Sequence, residues 1–154
     1  MADYYTSFSL VLELPSEEAQ EYALKVASTM SDAGRDDTGK EDKIPDFVLP
    51  FVKDEMENWV FDTEASGECD IWLRSEFGGL DAAIVFIQHL LQKFMSNGVV
   101  VLEWANSCSK PRTDAYGGGA AVITAEVVKS MGTFGWSQDL LLTPEFKKYV
   151  QKNS

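Results

Sequence analysis

The sequence predicts an α+β domain: a mostly antiparallel sheet with two main helices on one face, in the β-α-β-β-α-β order of a split βαβ, ferredoxin-like layer, extended by a C-terminal hairpin. Three observations point there. An alternating run opens the chain, with Phe8, Leu10, Leu12 and Leu14 on one face. Two segments repeat apolar residues at helical spacing. Short runs rich in aromatic and β-branched residues, divided by turn formers, fill the rest. A length of 154 residues allows one such core and leaves too little chain for a second, so residues 1–154 read as a single domain.

The elements follow in order. Pro15 ends the first strand. Ser16 is a helix N-cap, and Glu17 and Glu18 face the positive end of the helix dipole. Ala19, Tyr22, Ala23, Val26, Ala27 and Met30 make the buried stripe, and Gly34 terminates the helix. Residues 35–43 are polar throughout and read as a mobile surface loop. Residues 44–58 read as a short helix begun by Pro50. Trp59 to Glu64 and Cys69 to Glu76 form a hairpin around residues 65–68, with Trp59, Phe61 and Thr63 sharing a face on one strand, and Ile71 and Leu73 sharing a face on the other strand.

Gly78 and Gly79 open the second helix, Leu80 to Met95. Ala83, Ile84, Ile87, Leu91 and Phe94 form its stripe, and Val85, Phe86 and Leu90 widen it. Val99-Val100-Val101-Leu102 is a continuous apolar run, the pattern of a central strand covered on both faces. Residues 118–125 and 127–133 are two more strands. Thr143-Pro144-Glu145 starts a short terminal helix over residues 143–153.

Composition narrows the function. Thirteen Lys and Arg against 25 Asp and Glu give a net charge of −12, which disfavours direct nucleic-acid binding. The acid is unevenly placed: residues 1–81 hold 20 acidic and 6 basic side chains, whereas residues 82–154 hold 5 and 7. No run reaches the length of a membrane span and no secretory signal opens the chain, so membrane partners are not expected and the location reads as cytoplasmic. Cys69 and Cys108 are read as free thiols of a reducing compartment.

Residues 107–119 look least like scaffolding. They combine hydroxyls, Cys108, Lys110, Arg112, Asp114, Tyr116 and the run Gly117-Gly118-Gly119. Glycines admit a ligand close to the backbone, and successive N–H groups can cradle an anion. Lys110 and Arg112 would supply charge, Arg112 as a planar fork, and Tyr116 would stack. The same glycines equally suit tight packing or a bulge.

The run Trp104-Ala105-Asn106-Ser107-Cys108-Ser109-Lys110-Pro111-Arg112, with Gly117-Gly118-Gly119-Ala120 after it, resembles a small family of bacterial and phage-borne α+β proteins. The resemblance covers roughly residues 59–136, including Asp70-Ile71-Trp72-Leu73 and the helix from Leu80 to Phe94. It implies a fold and a phage-like context. No activity and no binding residues come with it.

Catalytic chemistry is thinly supplied. Cys108 is the best nucleophile, beside two cations, but the only histidine, His89, sits on the second helix and reads as a surface imidazole. Cys69, Cys108 and His89 lack metal-ligand spacing, and no cofactor motif is present. The four tryptophans read as packing, with Trp136 the most exposed. The expectation is therefore a non-enzymatic acidic interaction protein, an inhibitor or adaptor of phage type, docking on a basic, nucleic-acid-binding protein. Glu17, Glu21, Asp54, Glu55 and Glu57 are its candidate contact surface. The alternatives are an anionic-ligand or nucleotide module using residues 107–119, and a Cys108 enzyme. A homodimer through an unpaired strand edge is a further expectation.

Overall fold

The computed structural model describes residues 3–35, 59–113 and 115–152. These form an α+β fold, with six strands and four helices among the described residues. The elements are β1 (Tyr4–Leu12), α1 (Glu17–Arg35), β2 (Asp62–Ser66), β3 (Asp70–Ser75), α2 (Leu80–Phe94), β4 (Val99–Cys108), β5 (Gly117–Thr124), β6 (Val128–Gly132), α3 (Thr133–Leu141) and α4 (Pro144–Lys152). One sheet runs β2-β3-β1-β4-β5-β6, and every neighbouring pair is antiparallel. None of the described helices is long and apolar enough to cross a membrane.

Alternation divides the strands between two faces. Phe8, Leu12, Ile71, Leu73, Leu102, Ala121 and Ile123 point to one side and are buried there against α1 and α2. From α1 come Ala19, Ala23, Val26, Ala27 and Met30; from α2 come Phe86, Ile87, Leu90 and Leu91, all within one cluster. Trp59, Phe61 and Phe86 stack at its centre, with ring centroids 4.9 to 6.2 Å apart. Ser16 caps α1, accepting the Ala19 N–H at 3.2 Å.

Side-chain amides tie hairpin ends to helices. Gln20 donates to the Asp70 carbonyl at 2.8 Å. Gln88 donates to the Thr124 carbonyl at 3.0 Å, and Gln92 to that of Ala125 at 2.9 Å. By contrast Arg74–Glu64, at 3.2 Å, is the only ion pair between described residues.

Several expectations shift. Strand β1 begins at Tyr4, because Tyr4 to Ser7 pair with Cys108 to Ala105 on β4. Helix α1 continues past Gly34 to Arg35. Residues 127–133, read as one strand, divide into β6 and the start of α3, a helix the sequence reading lacks. The largest correction concerns β4. Its apolar run suggests cover on both faces, yet Val99 and Val101 are 63% and 52% exposed. The two long helices α1 and α2 cover one side of the sheet, and no described element covers the other along β4. The loop and helix expected within residues 36–58 lie outside the described residues.

Candidate functional site

The sheet face that no described element covers along β4 carries a row of exposed apolar side chains. Register places its side chains in rows. One row runs Glu64, Trp72 and Val11 across β2, β3 and β1. It continues on the far side of β1 with Val101, Val122 and Lys129 across β4, β5 and β6. Val11, Val101 and Val122 are 50%, 52% and 44% exposed. Val11 and Val101 also line one cleft of about 360 Å³, where β1 and β4 no longer pair. The adjacent row is more polar: Asp62, Arg74 and Ser9, then Glu103, Ala120 and Met131.

At the β3 end this face is pre-organised. The Arg74 guanidinium lies 3.9 Å from the Trp72 ring centroid and reaches Glu64 at 3.2 Å. Trp72 Nε1 donates to Ser9 Oγ at 2.8 Å. The indole is therefore held in one orientation from two sides. A cavity of about 560 Å³ beside it is lined by Ser9, Val60, Trp72, Arg74 and Phe77, among others. Val60 and Phe77 are exposed at its rim. The sequence pattern sets Ile71 and Leu73 on one shared face and reads Trp72 as packing, with no role for Arg74. The period-2 rule that buries the first pair turns the second to the open face.

Residues 107–119 divide between strand and loop. Ser107 and Cys108 end β4, and Gly117, Gly118 and Gly119 begin β5 opposite Asn106, Ala105 and Trp104. The glycines are spent on packing. A Cβ at Gly118 would strike the Trp104 carbonyl, and one at Gly119 would strike the Trp104 ring and the Met131 carbonyl. Gly117 has φ 134°, and a Cβ there would come within 2.6 Å of Thr133 Oγ1. The Gly118 N–H donates to that same Oγ1 at 3.1 Å. Tyr116 closes its own loop, its hydroxyl donating to the Cys108 and Lys110 carbonyls at 3.2 and 3.3 Å. Lys110 and Arg112 are exposed and pair with no described carboxylate. Asp114 lies outside the described residues.

Cys108 faces Tyr4 at the start of β1. His89 is engaged elsewhere: its Nε2 and the Tyr22 hydroxyl are 2.7 Å apart in a hydrogen bond between α2 and α1. The ring is half-buried rather than a surface imidazole. Burial lowers the His89 pKa, and nearby Lys93 lowers it further; burial raises that of Tyr22. Among the described residues no group of three or more His, Cys, Asp or Glu could hold a metal ion.

Five acidic residues gather toward the end of β1, while Asp3, Glu76 and Asp81 lie toward its start. Glu13 follows β1, Glu17 and Glu18 open α1, and Glu68 lies in the turn before Asp70. Asp70 Oδ1 accepts the Leu14 N–H at 3.3 Å, and Gln20 reaches the Gly67 and Asp70 carbonyls, which brings these segments together. Lys110 and Arg112 sit past the opposite end of β1, where Ser109 N–H donates to the Asp3 carbonyl at 2.9 Å. Glu17 and Glu21 are exposed on α1. Asp54, Glu55 and Glu57 lie outside the described residues. No protein family, curated protein or solved structure matches this chain.

Proposed function

We propose that this chain is a non-enzymatic interaction protein whose docking surface is the uncovered sheet face. The row Val11, Val101 and Val122 carries the reading. Three β-branched side chains near half exposure, beside a pinned tryptophan, make an apolar strip of the kind monomeric proteins cover. Charge suggests the partner. Glu64, Asp62, Glu103 and Glu13 border the strip, and the acidic end of α1 lies beyond it. A protein with an apolar centre and a basic rim complements that arrangement, whereas a polyanion does not. An adaptor or inhibitor of a basic, nucleic-acid-binding protein fits both features.

The test is affinity capture with Val11→Asp and Val101→Glu variants, alongside Glu17→Lys/Glu21→Lys. The strip variants should lose the partner while keeping the wild-type circular dichroism spectrum. The α1 variant should bind more weakly, with a shallower dependence on salt. Full capture by both strip variants would remove this face from the function.

A further inference from the structure

Apolar exposure is not spread evenly over the molecule. Seventeen large hydrophobic side chains are exposed among the described residues, and nine of them fall within residues 127–150. They include Val128, Met131, Phe134, Trp136, Leu142 and Tyr149. Strand β6 is exposed at all five positions, and its outer edge closes the sheet with no neighbour among the described residues. Helix α3 follows it directly and buries none of its nine residues. A helix that short has little stability of its own in water, so an uncovered apolar surface on it is a surface awaiting cover.

We propose that a second copy of this chain covers it, by antiparallel pairing of β6 with β6 about a two-fold axis at Ser130. Charge supports this occupant. Residues 127–152 hold Lys129, Lys147, Lys148 and Lys152 against Asp139 and Glu145, a net of +2 in a chain of −12. Two copies repel least when they meet at this end. The opposite sheet edge, β2, presents exposed Asp62 and Glu64, and a two-fold pairing centred on Thr63 would set the two carboxylates against each other. Strand β6 carries no acid. Centred on Ser130, its pairing sets Lys129 opposite Met131 and Val128 opposite Gly132, so no like charges stand directly opposed. Area supports it as well. With large side chains offering roughly 150–250 Å² each, the exposed parts of the nine total about 700–1,200 Å². A standard interface takes about 800 Å² from each partner.

Sedimentation or light scattering of the full chain at micromolar concentration should give twice the 17.1 kDa of one copy. Ser130→Glu sets two carboxylates face to face at the axis and should return the mass to a single copy. Ser130→Lys should do the same, and mixing the two variants should restore the dimer. Circular dichroism of each variant checks that the fold persists, since Ser130 is exposed. A wild-type monomer throughout the micromolar range overturns the proposal. So does a dimer indifferent to Ser130→Glu, or a failure of the mixed variants to pair. Val11→Asp and Val101→Glu lie on other strands and should leave the mass doubled, which separates this test from the docking reading.

Discussion

Gly118→Ala is a sharp probe of what the glycine run does. Every atom near the added methyl belongs to the neighbouring backbone: the Trp104 carbonyl oxygen and carbon, and the Ala105 Cα. No side-chain rotation relieves that contact, so the β4–β5 ladder must open between Trp104 and Ala105. Overpacking of this kind costs about 1–3 kcal/mol. A weakened ladder hydrogen bond, or a weakened bond from the Gly118 N–H to Thr133, adds about 1 kcal/mol. Reduced freedom of the unfolded chain offsets about 0.4–1 kcal/mol. The net is a loss of about 1–3.5 kcal/mol, or roughly 2–14 °C in melting temperature for a domain of this size. Gly135→Ala is the internal control. Nothing lies within 4 Å of its Cβ position, and it sits inside α3. It should gain about 0.5–1 kcal/mol. Urea unfolding followed by tryptophan emission reads both. A Gly118→Ala variant within about 0.5 kcal/mol of wild type would show that the strands do not approach as described. It would also return the glycines to the pool of ligand-binding candidates.

Lowering the pH from about 8 to 5 should reduce stability through His89. Its folded pKa lies below the ordinary 6.5, so the unfolded chain takes up the proton first and the loss grows as pH falls through that range. Tyr22 acts at the other extreme. Its raised pKa means that the unfolded chain ionises first, and stability falls as pH rises past 10. Thermal melts across pH, with His89→Gln flattening the acidic limb, check both. Phe86→Ala should cost about 3–5 kcal/mol, because its fully buried ring fills the space beside Trp59 and Phe61. Val101→Ala, half exposed, should change stability by no more than about 0.5 kcal/mol in the same urea assay. Thr133→Val removes the acceptor for the Gly118 N–H and should cost about 1 kcal/mol, measured by the shift in urea midpoint.

The covered side of the fold was open to sequence reasoning because local patterns decide it. Phe8, Leu10 and Leu12 alternate, Ser16 caps, and α2 repeats its apolar stripe. Each of these needs only neighbours in the chain. The first residues of β1 were hidden because Tyr4-Tyr5-Thr6-Ser7 shows no alternation; they are a strand only by pairing with β4, a hundred residues away. Helix α3 was hidden for the opposite reason. It buries nothing, so no stripe marks it, and Gly135 lowers its intrinsic propensity. The valine run of β4 misled because continuous apolarity means burial on both faces only where something covers both. Counting covers exposes the gap: α1 and α2 are the two long helices in the pattern, and both belong to one face. The glycine run drew a ligand reading from composition, but its cause is steric. Trp104 and β6 come too close to it for a side chain, which chain order alone cannot reveal.

The glutamine ties have a consequence for behaviour in strong electrolyte. Gln20, Gln88 and Gln92 hold the hairpin ends with uncharged donors, and a single ion pair joins the described residues. Added salt therefore has little attraction to weaken, while it damps the mutual repulsion of a chain carrying −12. This protein should melt later in brine than in dilute buffer, as an acidic body fastened by neutral clasps would.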